Sequence, residues 1–410
     1  ICDLSIRFPK SGTKQEGWLM LLGENGVGKS TFLQAMALTL MGQSYLSKMK
    51  LRPSDILRHG EKSGYVKIFV QDKDEPISIQ FDETSKKIKS SLRLPVSYLL
   101  GYGSTRLFPT KILRPETTRG RVKVKNLFEA GVSLADAKKW LLNADTKKFS
   151  QASIALKDLL LLGKSSVLVR EENRVVVQYK NNEYDDLNEL SDGYKSIIAV
   201  TVDIMKTFMP DQHKTIIHST MEDAEGIVLL DEIGTHLHPL WRMQVVESFR
   251  RTFPRLQFIV TTHDPLCLRG LGLGEVAVFQ KDENREIHVI TDLPDPSEFR
   301  VEQILKSEFF GLNSTSEPKI EALFNEYYYL LSKQTLTNKE QARLNNLKDE
   351  LREKRHLGQS RREEIVFSIV DRVLAKNKST SVEQILQNST LMEETVDKVR
   401  EAWASSIGEN

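Results

Sequence analysis

The octapeptide Gly23-Glu24-Asn25-Gly26-Val27-Gly28-Lys29-Ser30 constrains this chain more than any other stretch. Its Gly-x-x-x-x-Gly-Lys-Ser spacing lets backbone N–H groups converge on phosphate oxygens, and a following helix adds its positive N-terminal end. The motif carries meaning only between a strand and a helix. Residues 18–22, Trp-Leu-Met-Leu-Leu, read as the buried strand, and residues 31–41, opening on Thr31, read as the apolar helix. In that setting Lys29 reaches the outer phosphates of ATP and the Ser30 hydroxyl ligates Mg²⁺. The expected nucleotide site therefore comprises Gly23, Glu24, Asn25, Gly26, Val27, Gly28, Lys29, Ser30 and Thr31.

Three further stretches carry chemistry. Residues 226–232, Gly-Ile-Val-Leu-Leu-Asp-Glu, deliver Asp231 to the carboxyl end of a buried strand, where a carboxylate can hold the magnesium shell. Glu232, one residue on, can polarise a water towards the γ-phosphate. Residues 190–195, Leu-Ser-Asp-Gly-Tyr-Lys, are by themselves a helix N-cap ahead of an amphipathic helix over 190–209. Residues 258–264 form a buried strand ending in His263, and a lone histidine in such a place is more often structural than catalytic. His236 and His238 are spaced i, i+2 without further ligands, a weak metal signal. The glycines at 270, 272 and 274 lack a strand–helix context and read as a turn.

Together, and in this order, the phosphate loop, the 190–195 motif, the Asp231-Glu232 strand end and the His263 strand resemble the ATP-binding-cassette superfamily over residues 3 to about 290. The resemblance implies that Ser191, Asp192, Gly193 and Tyr194 act in trans, touching the γ-phosphate bound by a second subunit. It also implies catalytic roles for Glu232, His263 and Lys29, metal contacts from Ser30 and Asp231, and a D-loop at 233–239. The 231 − 191 = 40 residues from Ser191 to Asp231 exceed a transporter's spacing, and Ser-Asp-Gly-Tyr departs from the transporter's Ser-Gly-Gly-Gln. Both features are similar to the group of RecF, Rad50/SMC and the OLD nucleases.

Within that group the chain resembles the PtuA family, the ATPase subunits of Septu-type antiphage defence, including variants that accompany retrons. The matching passages are residues 301–305 and 309–312, the helix around 336–340, the loop 103–106 and the signature at 190–194. The family implies a head-to-tail dimer around two nucleotides, a separate HNH nuclease subunit (PtuB-like), DNA as substrate, a retron RNA–DNA in the retron variants, and ATP as a control signal. A RecF-like repair ATPase that binds DNA without a nuclease is the alternative. The family's Q-loop glutamine has no counterpart near 101–106.

The fold expected is α/β: an ABC-type P-loop ATPase head with a mixed sheet, an antiparallel β subdomain over 64–94 and a helical lid, followed by an all-helical C-terminal region. Its expected parts are an N-terminal lobe at 1–105, a lid or insertion at 106–189, a C-terminal lobe at 190–297, and a partner-binding or oligomerisation region at 298–410. Strands are expected at 3–8, 95–101, 227–230, 256–261, 275–280 and 287–290, a hairpin at 166–179, and a helix at 238–253. Residues 107–126 read as an exposed basic loop. The stretch from 298 offers neither a Toprim set of acids nor an HNH finger, and no segment suits a Rad50-like arm.

Bulk properties narrow the partners. Net charge is +2, so any basic surface is local. Arg119, Arg121, Lys123 and Lys125 alternate and would line one strand face, either against a phosphate backbone or as a solvated edge. Arg352, Lys354, Arg355, Arg361 and Arg362 are interspersed with acids and read as a solvated helix face. Tyr327, Tyr328 and Tyr329 cannot all face inward on one helix, so part of that stretch can dock a partner. Two cysteines, Cys2 and Cys267, fit a reducing cytoplasm, and no apolar run reaches the ~20 residues of a membrane span, so no membrane partner is expected. The chain opens on isoleucine, so residues ahead of it are expected.

Overall fold

The computed structural model describes residues 4–9, 17–71, 73–106, 120–181, 183–187, 189–209, 221–312, 318–331, 333 and 335–353. Two compact units divide the chain, residues 1–311 and 312–410.

The first unit begins with β1 (Trp18–Gly23), α1 (Lys29–Leu40) and α2 (Gln43–Leu46). The strands β2 (Ser63–Ile68), β3 (Ile77–Asp82) and β4 (Lys87–Ser90) then form a three-stranded antiparallel sheet. β5 (Tyr98–Tyr102), β6 (Val122–Lys123) and α3 (Lys125–Phe128) follow, then α4 (Ala137–Asn143) and α5 (Thr146–Leu159). A second small antiparallel sheet holds β7 (Val167–Arg170), β8 (Val175–Gln178) and β9 (Tyr184–Asp186). The lobe is completed by α6 (Asp192–Phe208), β10 (Gly226–Leu230), α7 (Pro239–Arg242), α8 (Val245–Thr252), β11 (Leu256–Thr262), β12 (Val276–Lys281), β13 (Ile287–Ile290) and α9 (Val301–Lys306).

The main sheet runs β13-β12-β1-β11-β10-β5-β6. All its pairings are parallel except β12 with β13, which makes it a mixed sheet. Such a sheet must be covered on both faces, and the period of two in its strands supplies the two cores. Trp18, Met20 and Leu22 of β1 enter one core with Phe258 and Val260 of β11, against Trp140, Leu156 and Ile197 from α4, α5 and α6. Leu19 and Leu21 enter the other with Ile259, against Leu33 and Met36 of α1 and Ile79 and Phe81 of β3. Trp18 stacks on Phe258 with ring centroids 4.5 Å apart. Each large side chain buried in this way contributes about 1.5–3 kcal/mol.

Four expectations need correction. Residues 4–9 form no ladder, although Leu4, Ile6 and Phe8 pack on the second core while Ser5 and Arg7 stay out. The alternation there expresses packing, not hydrogen bonding; Asp3 lies outside the described residues. The helix at 238–253 is two helices, because the Gln244 N–H closes a tight turn on the Trp241 carbonyl (3.0 Å) and the chain restarts at Val245. The hairpin at 166–179 carries a third strand, β9, too short and acidic to register in the sequence. Part of the 107–126 loop is ordered structure: Val122–Lys123 add to the main sheet beside β5, and Lys125–Phe128 form a helical turn. Residues 107–119 lie outside the described residues.

β6 does not present a free row of cations. Lys123 forms an ion pair with the fully buried Asp203 of α6, and Arg121 lies over the Tyr98 ring at 5.9 Å. Arg119 lies outside the described residues.

Ile304 and Phe309 belong to the core of the first unit, which closes at Gly311. In the second unit, α10 (Pro318–Leu331) and α11 (Asn338–Glu353) pack through Ile320, Tyr327 and Leu330 against Leu344, Leu347 and Leu351. Thr337 and Glu340 make a capping box at the start of α11, with Thr337 N donating to Glu340 Oε2 at 2.9 Å. Tyr327 is buried, Tyr328 packs at the edge of this core and Tyr329 is exposed. Lys354, Arg355, Arg361 and Arg362 lie outside the described residues. No helix among the described residues is long and apolar enough to cross a membrane.

Candidate nucleotide site

The carboxyl ends of parallel strands are where an α/β sheet binds its ligands, since the loops there are free of the ladder. Neighbouring strands β1, β11, β10 and β5 end side by side; the phosphate loop, the Asp231-Glu232 pair and the loop after Tyr102 surround one cleft of about 320 Å³, and His263 at the end of β11 is hydrogen-bonded to Glu232. Asn25, Gly26, Gly28, Lys29, Ser30, Thr31, Ser104, Asp231 and Glu232 line it.

Two of the loop's glycines show different reasons for the residue. Gly28, the residue before α1, has φ 90°, a left-handed conformation that costs a side-chain-bearing residue about 1 kcal/mol or more. At Gly23 a Cβ would sit 2.5 Å from the Phe279 carbonyl oxygen of β12, a rigid neighbour in the sheet.

Lys29 is buried, and its Nζ donates to the carbonyls of Gly23 (2.7 Å) and Glu24 (2.9 Å) of its own loop. Glu232 Oε1 lies 3.8 Å from the same ammonium. Burial lowers the Lys29 pKa from its ordinary value, and the charges of Glu232 and Asp231 oppose that shift.

Ser30 Oγ donates to both oxygens of Asp231, at 3.0 and 2.8 Å. Asp231 also accepts from Thr261 Oγ1 at 2.6 Å, and its N–H donates to Tyr102 O at 2.8 Å. A hydroxyl and a carboxylate brought together by elements 201 residues apart are hard oxygen donors, the kind that suit Mg²⁺.

Glu232 adopts φ 51°, and its N–H donates to Thr261 Oγ1 at 2.7 Å. The carboxylate sits between two groups: Oε1 faces Lys29, and Oε2 is hydrogen-bonded to His263 Nδ1 at 2.8 Å. A carboxylate so held, at the rim of a phosphate-sized cleft, can accept a proton from water.

Arg106, unnoticed as a site residue in the sequence, lies behind this pair. Its guanidinium is buried and donates to the carbonyls of Asp231 and Glu232, the latter at 2.6 Å. Ser104, in the loop that lacks a Q-loop glutamine, lines the cleft.

Ser191, Asp192, Gly193 and Tyr194 do not line the cleft of their own chain. They open α6, with Gly193 so close to the 233–239 loop that a Cβ would stand 2.3 Å from His236 O. Tyr194 meets Trp241 edge-on at 3.8 Å between centroids. His238 caps α7, its ring nitrogen accepting from Leu240 N. Gly270 and Gly274 have positive φ in the turn before β12.

A protein family described as "AAA domain, putative AbiEii toxin, Type IV TA system" matches residues 19–269. The chain is 38% identical over 387 residues to the Septu protein PtuA of Bacillus mycoides strain KBAB4, covering 93% of this chain and 53% of that protein. It thus spans about half the length of that relative. It is 34% identical over 109 residues to the "Retron Vc95 probable ATPase" of Vibrio cholerae, covering 26% of this chain and 20% of that protein. Among solved structures, the SMC head domain from Thermotoga maritima aligns with a TM-score of 0.41 at 15% identity, over 67% of this chain and 91% of that one. The expected likeness to PtuA and to retron ATPases is borne out. With more than half its length matched, from β1 through β11 and beyond, and the phosphate loop facing Asp231 and Glu232, the chain belongs to this AAA-domain ATPase family.

Proposed function

We propose that the chain is the ATP-binding and ATP-hydrolysing subunit of an antiphage defence assembly. The observation that carries the hydrolysis reading is the meeting of Lys29, Ser30, Asp231 and Glu232 at one cleft, with His263 hydrogen-bonded to Glu232. Similarity to a Septu PtuA along 93% of the chain supports the defence role.

In this reading the outer phosphates of ATP take over Lys29 Nζ from the loop carbonyls. Ser30 and Asp231 would hold Mg²⁺, which would offset the negative charge of the phosphates. Water attacks the γ-phosphorus as the bond to the bridging oxygen of ADP breaks, and its proton passes to Glu232. His263 steadies the second oxygen of that carboxylate.

The signature residues Ser191, Asp192, Gly193 and Tyr194 lie away from their own chain's cleft, which supports completion of each site by a second copy in a head-to-tail dimer. The assembly would act on DNA through a separate HNH nuclease subunit, with ATP controlling cleavage, in the cytoplasm. Co-expression with an HNH nuclease of the PtuB kind, followed by a DNA-cleavage assay with and without ATP, tests the partner. Binding to DNA junctions with no co-purifying nuclease would favour a RecF-like role instead.

Glu232→Gln tests the chemistry. Turnover should fall about 10²–10⁴-fold while ATP stays bound and traps a dimer, measured by phosphate release and light scattering. Undiminished turnover would refute the role given to Glu232.

A further inference from the structure

Arg106 is a buried charge without a directly bonded carboxylate partner among the described residues. Its Nε donates to Gly103 O at 3.1 Å, and its Nη1 approaches Ser196 Oγ of α6 at 3.4 Å. Its Nη2 donates to Asp231 O and to Glu232 O. Burial draws its pKa down to about 10 against the pull of Asp231 and Glu232. Burying a guanidinium on neutral acceptors is costly, and a small apolar residue would serve packing alone better.

The peptide it grips is the strained one. Glu232 is a residue with a side chain at φ 51°, a conformation costing about 1–3 kcal/mol unless its surroundings impose it. Its N–H is tied to Thr261 Oγ1, and its carbonyl is held by Arg106 and by Thr235 N at 3.2 Å. With both sides of the residue fixed, the carboxylate points between Lys29 and His263. Without Arg106, the carbonyl loses its charged donor and the backbone can relax towards negative φ, swinging the carboxylate off the water.

We infer that Arg106 is a positioning residue for hydrolysis: it locks the left-handed backbone of Glu232 and so aims the carboxylate at the attacking water. This rests on the ATP-hydrolysing reading given above. Arg106 does not line the cleft, so it acts on the chemical step and not on nucleotide binding.

The test is steady-state ATP hydrolysis by the full chain and by Arg106→Ala, Arg106→Lys and Glu232→Gln, each with a thermal melt. Arg106→Ala should lower kcat about 10–100-fold with KM for ATP within about threefold, the scale expected when a reacting group is misplaced by about 1 Å. Low-millimolar guanidinium chloride should restore part of that kcat in Arg106→Ala and none in Glu232→Gln. Arg106→Lys should stay impaired, since lysine Nζ ends one bond short of the Nη2 position that meets both carbonyls and lacks the Nε and Nη1 donors that anchor the group on Gly103 O and Ser196 Oγ, and it carries the test if Arg106→Ala does not fold. Wild-type kcat in the folded Arg106 variants, or a loss confined to KM, overturns the inference. If Glu232→Gln itself turns over normally, the hydrolysis reading fails instead, and the two failures are distinct.

Discussion

Lys123→Met decides what the basic strand at the sheet edge is for. Lys123 sits on β6 with 15% of its side chain exposed, and its ammonium is paired with Asp203, whose side chain is fully buried. Asp203 Oδ1 also accepts from Ala135 N at 2.8 Å and Oδ2 from Tyr102 Oη at 3.1 Å. Methionine keeps the length and apolar stem of lysine, so the loss is chiefly electrostatic. Removing one member of a buried pair costs about 3–5 kcal/mol, because the remaining charge stays in a medium that solvates it poorly. Two donors remain on Asp203, which places the expected loss near the lower bound, about 3 kcal/mol. Asp203→Asn together with Lys123→Met removes both charges and should recover about 2 kcal/mol of the sum of the single losses. Urea unfolding followed by tryptophan fluorescence reads this, since Trp18 and Trp140 are buried in the same core as the helix carrying Asp203. If Lys123→Met unfolds within about 0.5 kcal/mol of the parent, and DNA affinity instead loses about one unit of salt slope, the lysine is a phosphate contact and the reasoning fails.

Other outcomes follow from the same geometry. Lys29→Ala should abolish ATP binding in a fluorescent-nucleotide titration, and unchanged affinity would contradict the phosphate-loop assignment. Ser191→Arg should spare ATP binding by the monomer and block ATP-dependent dimerisation in light scattering; wild-type hydrolysis in that variant argues against a shared site. Gly193→Ala drives a Cβ to 2.3 Å from His236 O, so it should push the 233–239 loop aside at a cost of about 1–3 kcal/mol, seen in a melt, and depress turnover. Burial pushes the Cys267 thiol up to about 12, chiefly by desolvation, so at pH 8 it stays neutral and should react with a thiol reagent far more slowly in the folded protein than in urea. Equal rates would mean that the site opens.

Much of the site was legible because phosphate loops and strand-end carboxylates are local patterns. Gly23 to Ser30 sit between a strand and a helix, and the apolar run at 226–230 ends on Asp231, so both could be placed without any knowledge of tertiary contacts. The residues that escaped are those whose partners are remote in sequence. Arg106 belongs to an unremarkable loop, and only the adjacency of β5 and β10 sets its guanidinium against carbonyls 125 and 126 residues away. Lys123 alternates with other cations as a nucleic-acid strand would, yet the packing of α6 below β5 turns it inward to Asp203.

From the residues alone came the strands as apolar runs, the start of α1 at the phosphate loop, and the candidate side chains for phosphate and carboxylate chemistry. These follow from periodicity and spacing, which are local properties of the chain. The tertiary structure alone decided the strand order, and with it the contact of Ser30 with Asp231 across 201 residues and of His263 with Glu232 across 31. It also left Ser191 and Gly193 out of the lining of the cleft that the phosphate loop borders, the observation behind the proposed second copy. Burial and register depend on every element packing at once, and no stretch of sequence contains that sum.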